Sequence, residues 1–164
     1  TLARVQDAPS AAATPVSVLG VFRQVIEELH PQATAKSIDI GVTSEEDVSI
    51  ALTEFDLQTL VRNLVDNAIK YNTSNGSVGV VLKPVRDRVE LSVSDTGIGI
   101  PEEHLSRVFE RFYRVDRSRN KQIGGTGLGL SIVKHSAETL GATVQLQSKL
   151  GIGTTVTVSF PAID

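Results

Sequence analysis

The chain has 164 residues, 40% of them hydrophobic and 21% charged, and a formal net charge of −3. That is the balance of one folded domain with its own core, and the negative charge argues against nucleic acid or an anionic lipid surface as main partner. Cysteine and methionine are both absent, which excludes disulfides, thiolate metal sites and cysteine nucleophiles, and leads us to expect a piece of a longer protein.

Residues 1–15, rich in Ala, Ser, Thr and Pro, read as a linker. Ser17 then caps a predicted helix whose apolar positions are Val18, Val21, Phe22, Val25 and Leu29, spaced as one helical face. Pro31 is expected to end it. Ile38–Val42 and Val48–Leu52 look like two short strands flanking the acidic turn Glu45-Glu46-Asp47. A second helix is predicted from about Asp56 to Tyr71 on the stripe Leu57, Leu60, Val61, Leu64, Val65, Ala68 and Ile69, stopped by Asn72-Thr-Ser-Asn-Gly76. Strands follow at Val78–Leu82 and at Val89, Leu91 and Val93, where apolar and polar residues alternate. Residues 114–125 read as a polar, basic loop ending in glycine. A third helix runs from about Leu128 to Leu140, and strands at Val144–Leu146 and Val156–Phe160 flank the turn Leu150-Gly-Ile-Gly-Thr154. Helices stacked on the dry face of antiparallel-compatible strands predict a two-layer α+β sandwich. No apolar run reaches the ~18–20 residues of a membrane span.

Four clusters carry chemistry. On the second helix, Asn63, Asn67, Lys70 and Tyr71 share one edge. That edge is either a solvated polar face or a nucleotide site, in which Asn67 offers an oxygen to Mg²⁺, Lys70 meets phosphate and Tyr71 stacks on a base. Asp95-Thr-Gly97-Ile-Gly99-Ile100-Pro101 closes an alternating strand. It is either a tight turn or a half-buried carboxylate that reads an exocyclic amine. Phe109, Phe112 and Tyr113 cluster just before Arg114, Arg117, Arg119 and Lys121, as an anchor for the following loop, as cations beside phosphate, or both. Gly124-Gly125-Thr126-Gly127-Leu128-Gly129 matches neither the dinucleotide fingerprint nor a P-loop. It runs straight into a helix, where backbone N–H groups and the helix dipole receive phosphates. His30, His104 and His135 have no metal-ligand spacing.

In this order the clusters resemble the catalytic ATP-binding domain of bacterial sensor histidine kinases, within the superfamily of gyrase, Hsp90 and MutL-type ATPases. Residues 63–71 resemble the asparagine box, 95–99 the first glycine box, 109–114 the phenylalanine box and 125–129 the second glycine box. The resemblance covers residues 16–161. It implies a Bergerat-type fold, with a mixed, mostly antiparallel sheet of about five strands packed on three helices, and a catalytic domain over 16–164 with an ATP lid at about 114–125. It implies Mg²⁺ and ATP as cofactors, with Asn67 as metal ligand and Asn63 supporting metal or phosphate. Lys70 is matched to phosphate and Tyr71 to the adenine face. Asp95 is matched to the adenine amine, with Gly97, Gly99 and Ile100 shaping that end and Thr154 helping through water. Arg114 is matched to the γ-phosphate, with Tyr113 beside it and Arg119 assisting from the lid. Gly125, Thr126, Gly127, Leu128 and Gly129 are matched to the phosphate side.

Hydrolases of that superfamily carry a water-activating Glu where this chain has Asn63, and an amide is no base. The resemblance therefore implies phosphoryl transfer to a histidine, with an ATP-hydrolysing switch or a non-catalytic docking module as alternatives. None of the histidines has the family's phosphoacceptor pattern, so this chain is not expected to phosphorylate itself. The implied partners are its own dimerisation and phosphoacceptor domain, joined through residues 1–15, and a response regulator. Nucleic acid and direct membrane contact are not expected, and the domain is expected to be a monomer in the cytoplasmic part of a membrane-bound sensor.

Overall fold

The computed structural model describes residues 15–44, 49–51, 53–110 and 129–161. In chain order these form β1 (Pro15–Ser17), α1 (Val18–Ala35), β2 (Asp39–Ser44), β3 (Ser49–Ala51), α2 (Glu54–Lys70), β4 (Ser77–Val85), β5 (Arg88–Asp95), a 3-10 turn (Glu102–His104), α3 (Gly129–Thr139), β6 (Thr143–Lys149) and β7 (Gly153–Pro161). Five strands make one mixed sheet in the order β2-β4-β5-β7-β6, with β2 parallel to β4 and the other pairs antiparallel. The three helices and this sheet are the expected α+β sandwich.

Alternation decides which face of the sheet is dry. Val78, Val80 and Leu82 of β4, Val89, Leu91 and Val93 of β5, and Val156, Val158 and Phe160 of β7 are buried on one side. On the other side, Ser92 pairs with Thr157 (3.0 Å) and Ser94 with Thr155 (2.9 Å), a ladder of hydroxyls suited to water. α2 is the central helix and packs against α1, α3 and β5. Its whole predicted stripe, from Leu57 to Ile69, is buried, and each large apolar side chain so buried contributes about 1.5–3 kcal/mol. Thr53 caps it by accepting the Asp56 N–H at 3.2 Å, and Glu54 and Asp56 sit at the positive end of its dipole.

Two expectations are corrected, on Pro31 and on Pro15. Pro31 does not end α1, which continues to Ala35. The lost hydrogen bond falls on the exposed side, at the carbonyl of Glu27, where water can satisfy it, while Leu29 and Ala33 keep the apolar stripe buried across the proline. The strands either side of residues 45–48 do not pair with each other. β2 joins the main sheet beside β4, and β3 pairs with β1 in a separate two-stranded sheet. Pro15 therefore belongs to a strand rather than to a linker. A strand's partner is chosen by long-range packing: Ile50 is buried and Val16 packs against the core.

Candidate functional site

The end of β5 lies between two strands. Asp95 stands opposite Val78 of β4 and Thr154 of β7. Its Oδ1 accepts the backbone N–H of Gly97 at 2.9 Å and that of Thr154 at 3.2 Å. Oδ2 has no partner among the described residues. Burial pushes the Asp95 carboxyl above its ordinary pKa, and the two N–H donors partly offset this. One oxygen is thus fixed by the backbone and the other is left free to accept a hydrogen bond.

The loop after Asp95 rests on the end of α2. The Ile98 N–H donates to the carbonyl of Tyr71 at 3.1 Å. A Cβ at position 97 would collide with that same carbonyl, so the approach requires glycine. Gly99 (φ +74°) is held from the other side, where a Cβ would meet the carbonyl of Lys149. The Gly151 N–H reaches the Ile98 carbonyl at 2.8 Å, and the Ile100 N–H reaches Ser148 Oγ at 2.8 Å. Ser148 Oγ also lies 2.7 Å from Thr154 Oγ1 and donates to the Gly153 carbonyl at 3.0 Å. Asp95, Gly97, Gly99, Ile100 and Thr154 are therefore brought together by one backbone network, which also takes in Tyr71. Thr154 touches Asp95 directly through its N–H.

Along α2 the groups are held more loosely. Asn63 spends its Nδ2 on the carbonyl of Thr59, one turn back, at 2.8 Å. Lys70 pairs with Asp66 at 3.0 Å, and its side chain is 41% exposed. Asn67 is different. Its Nδ2 is buried and has no hydrogen-bond partner among the described residues. An orphaned buried amide costs ~1–3 kcal/mol, and a polar group left so beside a candidate site is explained by a ligand that meets it. The unpaired Nδ2 donor therefore fits a phosphate oxygen, and the Oδ1 of the same amide would suit a divalent cation that keeps much of its water, because Mg²⁺ needs only one or two protein oxygens. No group of three or more His, Cys, Asp or Glu side chains forms a metal site among the described residues.

Gly129 opens α3. Tyr113, Arg114, Arg119, Gly125, Thr126, Gly127 and Leu128 lie outside the described residues, as does the expected lid. Phe109 is described, with Lys134 Nζ of α3 at 5.7 Å from its ring centroid.

Sequence reading missed three supports. Asn72, only 6% exposed, does more than stop the helix. Its Nδ2 donates to the Ser77 carbonyl at 2.9 Å, and its Oδ1 accepts from the Thr73 N–H at 2.8 Å and Thr96 Oγ1 at 3.2 Å. Ser148 had no signal beyond its place in an alternating strand. Lys36 lies in the turn after α1, far from α2 in sequence, yet its ammonium meets the α2 terminus.

A sequence model described as "Histidine kinase-, DNA gyrase B-, and HSP90-like ATPase" matches residues 52–164. Sensor histidine kinase YkoH of Bacillus subtilis is 46% identical over 118 residues, which is 72% of this chain and 26% of that protein. Among solved structures, the mycobacterial sensor histidine kinase MprB aligns with a TM-score of 0.79 at 28% identity, covering 92% of this chain and 97% of that one. Full-length ShkA, solved in complex with AMPPNP, has a TM-score of 0.79 at 31% identity, over 92% of this chain and 31% of that one. The chain spans between 26% and 37% of the length of the curated relatives it matches first. No helix among the described residues is long and apolar enough to cross a membrane.

Proposed function

The chain belongs to the histidine kinase-, DNA gyrase B- and HSP90-like ATPase family, and on that footing we propose that it binds Mg²⁺-ATP and donates the γ-phosphoryl group to a histidine of a separate helical domain. The observation that carries the reading is Asp95. A half-buried carboxylate with one oxygen locked by two N–H donors and the other unpaired is an acceptor prepared for the amine of adenine. Tyr71 sits at the junction of α2 and the glycine loop, and its ring would cover the base. One turn back along α2, Asn67 would hold Mg²⁺, and Asn63, a further turn back, keeps its amide oxygen for metal-bound water or phosphate. Bound Mg²⁺ would neutralise charge on the phosphates.

Asn63 decides the class of reaction in this proposal. Its amide cannot take a proton from water, so the nucleophile must be one that attacks without first giving up a proton. A histidine nitrogen does so: the P–N bond forms as the bond between the γ-phosphorus and the bridging oxygen breaks, and ADP leaves. Here the protein's work is positioning and charge. Arg114, with Arg119 from a lid at about 114–125, would counter charge on the transferring group, and 125–129 would cradle phosphates. The relatives' identity as sensor kinases supports a place in two-component signalling, with a response regulator as downstream partner and a cytoplasmic setting. The phosphoacceptor would lie in a segment outside residues 16–164.

Calorimetric titration with AMPPNP, with and without Mg²⁺, tests the binding step. Saturable one-to-one binding that is strengthened by Mg²⁺ and weakened by Asp95→Asn is expected. A folded sample that does not bind at millimolar analogue would overturn the reading. Radiolabel from the γ-phosphate should pass to a supplied histidine-bearing hairpin but not accumulate on this chain.

A further inference from the structure

The last turn of a helix leaves carbonyls without intrahelical partners. At the end of α2 they are met by one side chain from another element. Lys36 Nζ donates to the carbonyls of Ile69 at 3.0 Å, Lys70 at 3.0 Å and Asn72 at 2.8 Å. An ammonium has three donors, and all three are used. The charge also sits at the negative end of the α2 dipole. These oxygens and the dipole favour the ammonium form, against the partial burial that lowers its pKa.

The main chain reinforces the contact. The Asn75 N–H donates to the Lys36 carbonyl at 2.9 Å, and the Asp39 N–H donates to the Gly76 carbonyl at 3.1 Å. The turn between α1 and β2 is thereby stitched to the turn between α2 and β4. The three clamped carbonyls straddle Tyr71, whose own carbonyl carries Ile98. Asn72, clamped through its carbonyl, holds Ser77 and Thr96 through its amide. The links from Tyr71 to Ile98 and from Asn72 to Thr96 therefore both start on a backbone segment that Lys36 grips.

We propose that Lys36 is a positioning residue for the nucleotide site: by clamping the carbonyls of Ile69, Lys70 and Asn72, it fixes the backbone that presents Tyr71 and supports the Gly97–Ile98 loop. It touches no ligand and acts through that backbone. This rests on the nucleotide-binding reading above.

The test compares AMPPNP affinity and melting temperature for the wild-type chain, Lys36→Met, Lys36→Arg and Phe160→Leu. Phe160 is a buried residue of β7 that pairs with Val89, at the far end of that strand from Thr154, so its truncation lowers stability without touching the clamp. Affinity is measured well below every melting temperature, together with hydrogen exchange at the Ile98 amide. Lys36→Met is expected to bind about tenfold more weakly and to exchange faster at Ile98. Lys36→Arg should fall between Lys36→Met and the wild type, because a planar fork cannot match three converging carbonyls. Phe160→Leu should lose stability while keeping its affinity within about twofold.

A folded Lys36→Met that binds like the wild type overturns the inference while leaving the nucleotide reading intact. An equal loss in Phe160→Leu overturns it as well, because the effect would then follow general stability. If Lys36→Met does not fold, Lys36→Arg decides: unchanged affinity and unchanged Ile98 exchange count against the clamp. A wild-type chain that binds no nucleotide removes the functional reading and the inference with it.

Discussion

The two ends of the candidate site are built by different means. At the Asp95 end, contacts are made by backbone: N–H groups of Gly97, Ile98, Ile100, Gly151 and Thr154 each have a fixed acceptor. At the α2 end, contacts are made by side chains on a helix edge: one amide tied back to its own helix, one half-exposed ion pair and one buried amide with no partner among the described residues. The first arrangement suits recognition of a rigid, planar base, which costs little to bind when the acceptor is already in place. The second suits a metal and a flexible polyphosphate, whose geometry changes during a reaction.

The sharpest way to break the comparison is Asp95→Asn. The replacement keeps an oxygen for Gly97 and Thr154 but loses the carboxylate's second acceptor, so nucleotide affinity should drop by about a hundredfold, or ~2.7 kcal/mol. The melting temperature should hold or rise, because a desolvated charge is removed. The sign of the pH dependence follows from the same burial. The folded pKa of Asp95 is raised, so its contribution to stability is full below the unfolded pKa and is lost as pH rises through the folded one. Nucleotide binding runs the other way, weakening as acid protonates the acceptor at a higher pH than an ordinary aspartate would require. Titration calorimetry and thermal melts over the acid range check both slopes.

Next in size is Gly97→Ala. Its Cβ would meet the Tyr71 carbonyl, and relieving that clash should cost about 2 kcal/mol of stability, read by urea unfolding. Affinity should fall with it, since the shift separates the two regions at their shared contact. Asn67→Ala should cost about tenfold in affinity, and only when Mg²⁺ is present. Stability should stay level or improve, because the unpaired amide is gone. A loss of equal size without Mg²⁺ would place Asn67 with the base-reading end instead. The smallest effect expected is from Asp66→Ala, which releases Lys70. The ion pair is half exposed and contributes about 0–1 kcal/mol. AMPPNP should bind up to about threefold tighter, with a steeper dependence on salt.

The alternation of β4, β5 and β7, the stripe of α2 and the cap at Ser17 were legible because each is a signal within one or two turns or strand repeats. The site was legible for the same reason where one short segment carries several of its groups, as α2 carries Asn63, Asn67, Lys70 and Tyr71. Asn72 was less so: its sequence context signals a turn, while its buried role depends on Ser77 and Thr96 from elsewhere.

Local periodicity and composition thus determined which segments are helices and strands, which faces are dry, and which short motifs resemble a nucleotide-binding family. Tertiary structure alone decided that β2 lies parallel to β4 while β3 turns to β1, that α1 runs through Pro31, and that Thr154 and Gly97 lock one oxygen of Asp95. It alone brought Lys36 to the end of α2. The physical reason is one of range. Periodic burial is written along a single element, whereas a strand's partner, a tolerated proline and a lysine cap depend on what the folded chain places opposite them.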